Sequence, residues 1–254
     1  MTGLQTAGGL WGTRLCMVSI YLTAIGAILA LAAGPGYRAG IIGVGAGLLT
    51  YVAVSLAMLF ATIAASVGLA MTKGTADSAS QAITWVAFFA ALLVTVNNVV
   101  WLNRARTAPP IHDITTDLNQ PPEFVAILPL RSDAPNPAEY AGDETADLQR
   151  DAYPDVETIV VLDPAGIVFD SALAVAGELG WEIVDSNAQA GRIEATDTTA
   201  YFGFKDDVVI RIGSEGPQTR IDVRSKSRVG IGDVGTNANR IRRFRERLLE
   251  VIGS

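Results

Sequence analysis

Charged side chains are absent from three long stretches, Leu15 to Ala33, Ile41 to Met71 and Ile83 to Leu102, and beyond Arg104 apolar positions become shorter, periodic runs. A helix needs roughly 20 apolar residues to cross about 30 Å of hydrocarbon. Each stretch meets or nearly meets that length, so the pattern predicts three transmembrane helices at about 15–33, 41–71 and 83–102. Turns are expected at Gly34 to Arg38 and at Thr72 to Ser80. The middle run, longer than a bilayer requires, must tilt, protrude or bend. Gly34, Pro35 and Gly36 lead straight into it, so the first segment reads as a retained helix and not as a cleaved signal. Trp85 and Trp101 lie roughly 24 Å apart on a helix, which suits aromatic belts at the two interfaces. Gly43 and Gly47 offer a small-residue face for close helix packing, and Asn97 and Asn98, about a turn from Trp101, are placed to reach head groups or a neighbouring helix. No span contains an ionisable residue, which argues against a pump or a proton-coupled transporter.

In the tail, prolines at 109, 110, 121 and 122 hold Ala108 to Ile127 extended, and the stretch to Pro154 reads mostly as loop. Thr158 to Leu162 is a short β-branched strand. Asp163 and Pro164 supply a helix start and Gly180 its stop, with Val168, Ala172, Val175 and Leu179 on one face. Strands follow at Trp181 to Asp185, Arg192 to Thr196 (or on to Phe204), Val208 to Ile212 and Arg220 to Arg228. In the last, Ile221 and Val223 point one way while Arg220, Asp222 and Arg224 point the other, as in an antiparallel sheet with one wet face. Glu194, Arg211, Arg220, Asp222 and Arg224 are expected to pair across strands on that face. A final helix from about Asn237 to Ile252 buries Ile241, Phe244, Leu248 and Val251. The fold class expected is α+β: an antiparallel sheet of about four to five strands with two flanking helices, preceded by a three-helix transmembrane bundle. Residues 1–106 form the anchor and 107–254 the soluble domain, with an extended lead-in over 107–154.

Charge separates the same two parts. Residues 1–106 hold five basic side chains against Asp77, a local +4; the whole chain is −7, so the tail carries −11. A basic patch from Arg220 to Arg247 sits inside that acidic tail, too local to suggest a nucleic-acid partner. Cys16 is the one cysteine, so no disulfide forms within the chain and no thiolate metal cluster can be built. Arg14 and Lys73 fall on one side of the membrane and Arg38, Arg104 and Arg106 on the other, a balance that leaves orientation weakly encoded.

Gly230, Gly232 and Gly235 spell G-x-G-x-x-G between a strand and a helix, but no βαβ unit follows, so a tight turn is expected and no dinucleotide. Around that turn Ser225, Ser227, Arg228, Asn237 and Arg240 gather at a helix N-terminus, a candidate anion site; the bland alternative is capping, with Arg228 paired to a buried acid such as Asp233. His112 is the only histidine. A triad would have to bring it against Ser225 or Ser227. Asp206 and Asp207, adjacent on a strand, face opposite ways or occupy a turn. His112, Asp113 and Asp117 are too few and too hard a set for a zinc-type site. No catalytic residue, metal or cofactor is therefore expected.

The blocks HDITTDLNQPPEF (112–124), GRIEATDTTAYFGFKDDVVIRI (191–212) and RIDVRSKSRVGIGDVGTNANRIRRF (220–244) together resemble the domain of unknown function 1499 family, over nearly the whole tail. The resemblance implies an extracytoplasmic domain, often membrane-anchored in bacteria, and brings no catalytic residues with it. The expectation is a protein of the bacterial inner membrane whose N-terminus is cytoplasmic and whose tail is a periplasmic, non-enzymatic binding or accessory module. Its partners would be the bilayer and an envelope protein or lipid; the alternative is a small-anion or ligand sensor, and an unrecognised hydrolase is a weaker third.

Overall fold

The structure is a computed structural model and describes residues 7–74 and 76–253. It divides into two compact units, one running to Arg104 and including Tyr201–Gly203, the other made of Ala105–Ala200 and the chain from Phe204 onward.

The first unit contains α1 (Ala7–Arg38), α2 (Val44–Met71) and all but the last turn of α3 (Ser78–Thr107), three helices long and apolar enough to cross a membrane. The expected turn at Gly34 to Arg38 is instead the end of α1, and the chain reverses just after it. Pro35 lies within the last turns, where its fixed φ is already helical and only one backbone bond is forgone; its carbonyl accepts from Ala39 N–H at 2.9 Å. Asp77 opens α3 by accepting from Ser80 N–H at 2.9 Å, an N-terminal cap. Close helix approach occurs at Gly12 and Gly68, not at Gly43. A Cβ on Gly12 would stand 2.7 Å from Met71 Cβ and one on Gly68 2.7 Å from Cys16 Sγ, whereas Gly43 precedes α2 and faces open space. Asn98 of α3 turns towards α2: Tyr51 Oη donates to its Oδ1 at 2.5 Å and its Nδ2 donates to Ser55 Oγ at 2.9 Å, polar links of the kind that tie helices in a bilayer.

The second unit contains β1 (Asp113–Thr115), a 3₁₀ turn (Leu128–Arg131), α4 (Asp143–Ala152), β2 (Ile159–Val161), α5 (Ala165–Glu178), β3 (Glu182–Asn187), β4 (Arg192–Thr198), β5 (Lys205–Glu215), β6 (Gln218–Ser227) and α6 (Thr236–Ile252). The sheet is antiparallel with order β1-β6-β5-β4-β3, and β2 pairs with β6 further along the edge that β1 occupies. This is an α+β arrangement with six strands. Helices α5 and α6 cover one face, where Val168, Ala172, Val175, Ile210, Val223 and Phe244 are buried together. Trp181 stacks on Phe244 with ring centroids 5.5 Å apart.

Two features of the lead-in depart from expectation. Residues 143–152 form a helix where loop is expected, and its Gln149 bonds to both backbone groups of Thr115, at 3.0 and 2.6 Å. The side chain thereby occupies the free edge of β1, as a further strand would. The sheet face expected to be wet is covered by the segment from Thr116 to Gly142, so Asp222 and Arg224 are 1% and 2% exposed. Alternation places their side chains correctly; what lies over them is set by a segment without periodicity of its own.

Candidate functional site

Strand register builds the site. Arg211 of β5 lies directly opposite Asp222 of β6, and Arg220 stands two residues before Asp222 on the same face. Asp222 Oδ2 accepts from Arg211 Nη2 at 2.8 Å and Arg220 Nε at 2.9 Å. Its Oδ1 accepts from Thr158 Oγ1 at 2.6 Å and Thr116 Oγ1 at 3.3 Å. Just after β1 the chain turns around Asp117, whose Oδ1 takes the backbone N–H groups of Asn119 and Gln120, both at 3.0 Å. Its Oδ2 takes Nη2 of both arginines, each at 2.9 Å. Burial pushes the Asp222 carboxyl up, but the Thr158 hydroxyl and the two guanidinium groups outweigh it and hold the carboxyl below its ordinary value. The Asp222 bond and charge likewise raise Arg220 above the usual arginine value, against partial desolvation.

Two buried carboxylates thus fix two arginines that remain 37% and 38% exposed. They border an open groove of about 580 Å³ whose lining includes Asn119, Gln120, Ser214 and Glu215. A recess of about 430 Å³ lies on the other side of Arg220, reaching Tyr153 and Thr158.

Ser225, Ser227, Arg228, Asn237 and Arg240 are split by the strand. Ser225 and Ser227 point to the helix side, where Ser225 Oγ donates to Asn237 Oδ1 at 2.6 Å and Asn237 Nδ2 donates to Ser227 Oγ at 2.9 Å. Arg240 is 1% exposed and donates to Asp197 and Asp206, both at 2.7 Å, and to Ser225 at 3.0 Å. Arg228 points to the opposite face. Its partner there is Asp207, at 2.9 and 2.7 Å, and not Asp233. Asp233 instead caps α6, accepting Gly235 N–H at 2.8 Å and Asn237 N–H at 2.7 Å. A carboxylate of the chain already stands where an anion would meet the helix N-terminus. Burial raises the Asp233 carboxyl above its ordinary value in spite of those two amides.

The sequence pattern that defines DUF1499, described as a protein of unknown function, matches residues 113–248. The chain belongs to the DUF1499 family. The matched span runs from β1 into α6, so it contains the groove and the arginines and carboxylates that border it, while the three apolar helices lie outside it. Comparison with curated proteins gives no match.

Beside the groove, the DUF1499 domain holds a second charged layer under the covering segment. Asp113 receives Arg224 in a two-pronged contact, at 2.9 and 2.8 Å, and Lys226 Nζ at 2.8 Å. Asp207 receives Arg131 at 3.2 Å besides Arg228. Glu194 accepts the backbone N–H groups of Val125, Ala126 and Ile127 at 3.0 to 3.1 Å, clasping the segment from below. The Phe124 ring lies between Arg131 and Arg224, at 5.3 and 4.9 Å from their guanidinium carbons. Burial lowers Lys226 below the ordinary lysine value, against the pull of Asp113, and pushes the Tyr140 phenol up to about 12.

His112 does not meet a serine hydroxyl among the hydrogen bonds of the described residues: its Nδ1 faces Ile231 O at 3.2 Å. Asp113 and Asp117 serve different arginines, and the described residues contain no group of three His, Cys, Asp or Glu placed to hold a metal. Asp206 and Asp207 lie within β5 and face opposite sides, towards Arg240 and Arg228 respectively. Sequence reasoning weighed Asp117 only beside His112 and passed over Asn119 and Gln120. The available signal was the run Asp-Leu-Asn-Gln-Pro at 117–121, a turn signature that says nothing of the strand it lies against.

Proposed function

We propose that this DUF1499 domain is a non-enzymatic binding or accessory module, tethered at the cell envelope by α1 to α3, and that the Arg211 and Arg220 groove is where it meets a ligand. The carrying observation is the division of labour at the groove: the carboxylates are buried with their oxygens bonded, while the guanidinium groups they fix keep an outer edge in solvent. Fixed donors along an open groove suit recognition. A sensor built on Ser225, Ser227, Arg228, Asn237 and Arg240 is the second reading, but it would require those donors to leave one another. Thermal melts of the full chain in dodecyl maltoside, with anionic, cationic and neutral polar solutes, test the choice. A solute that stabilises the wild type but not Asn119→Phe, which fills the groove, is the expected result; stabilisation unaffected by that change and lost in Arg240→Lys would favour the sensor.

The resemblance and the long soluble domain support a bacterial inner-membrane protein with a periplasmic tail, since large domains can translocate largely regardless of charge. A cysteine placed at exposed Ser214, with Cys16 changed to Ala, should react with an impermeant thiol reagent in intact spheroplasts. Labelling only after lysis would put the domain in the cytoplasm.

A further inference from the structure

Resting on that binding reading, we propose that the groove takes a phosphate group, held between Arg211 and Arg220. Arg211 spends Nη2 on the two carboxylates, and Arg220 spends Nε and Nη2 on Asp222, Asp117 and Thr158. Nε and Nη1 of Arg211 and Nη1 of Arg220 make no hydrogen bond within the described residues. The acceptor capacity of Asp117 and Asp222 is meanwhile consumed by two backbone amides, two hydroxyls and the arginines. The arginine pair therefore turns donors to the groove while the acceptors beneath it are spent, which selects an acceptor-rich ligand.

Geometry narrows the class. The two Nη2 atoms share Asp117 Oδ2, and Arg211 Nη2 and Arg220 Nε share Asp222 Oδ2, so the guanidinium groups are neighbours whose mutual repulsion is cancelled from beneath. A carboxylate has two oxygens and matches one guanidinium fork, whereas a phosphate has enough oxygens to bridge two. With two arginines balanced by two carboxylates, and Glu215 at the rim, the site carries no positive excess. Recognition then depends on directed hydrogen bonds and is sensitive to Glu215.

Calorimetric titration of the full chain in dodecyl maltoside with glycerol 3-phosphate tests this. Saturable binding is expected, weakened about tenfold or more in Asn119→Phe and in Ser214→Tyr, which obstruct the groove from opposite walls without removing an ion pair, and tightened severalfold in Glu215→Gln. Competition by dihexanoyl phosphatidylglycerol would assign the phosphate to a lipid head group, and its failure to compete to a soluble ester; either supports the assignment. Binding unchanged in all three variants would place the phosphate elsewhere and overturn it. No phosphate binding, with acetate or maltose stabilising the wild type but not the obstructed variants, would overturn the phosphate and leave the binding reading intact. Absence of any groove-dependent solute would remove both.

Discussion

The two faces of the sheet bury their side chains by opposite means. On the helix side Ile221, Val223 and Ile210 meet Val168, Ile241 and Phe244, and contact is non-directional. On the other side Asp222, Arg224 and Lys226 of the same strand are equally buried, but by a segment whose fit depends on named donors and acceptors. An apolar face tolerates any well-shaped neighbour; a buried charged face tolerates only the partner that completes it. Strand alternation, read from a sequence, reports that two faces differ and does not reveal whether the polar one meets water.

The sharpest way to break that contrast is Asp113→Ala. Arg224 and Lys226 would be left buried without their carboxylate, a loss of about 3 to 5 kcal/mol, measured by denaturant unfolding of the full chain. A loss under about 1 kcal/mol, the range of an exposed pair, would mean that this face is wet after all.

A smaller effect is expected from pH, with opposite signs on the two sides. Asp222 has a lowered carboxyl, so its contribution to stability is present above its ordinary value of 3.8 and is lost as pH falls through the lower folded value. Asp233 has a raised carboxyl, so its contribution is present below 3.8 and is lost as pH rises through the higher folded value. Stability curves below pH 7 should therefore steepen towards acid in Asp233→Asn, which removes the compensating group, and flatten in Asp222→Asn. Parallel curves for the two variants would refute the assignment. Smallest of all is Arg247→Ala: its bonds to Glu178 and Glu250 are exposed, and the melting temperature should stay within error of the wild type.

Much of the fold was legible. The stop at Gly180, the stripe of Ile241, Phe244 and Leu248, and the alternation along 220–224 each encode local geometry that the structure keeps, and the helix after Asp163 starts one residue later than expected, with Pro164 as its N-cap and no side-chain cap bond. Helix α4 was not, because DETADLQRDA has no apolar stripe and its role rests on one glutamine meeting a three-residue strand. The groove was legible only in pieces. Arg211, Arg220 and Asp222 were readable as neighbours on one face, but Asp117 reaches them across 94 and 103 positions of sequence, a pairing no periodicity announces. The same holds for Arg228, whose charge asked for an acid and whose strand side decided which one.

Glu194 and its three backbone amides have a consequence for what the chain tolerates in its length. Loops ordinarily accept inserted and deleted residues because little fixes their path. Here Asp117 meets two arginines, the amides of Val125 to Ile127 meet Glu194, Arg131 meets Asp207, and Asn136 N–H meets Arg228 O at 3.1 Å. The stretch behaves as a tape marked at fixed intervals. Adding or removing one residue between any two marks would pull every later one off its peg, so this irregular segment should be as intolerant of length change as the strands beneath it.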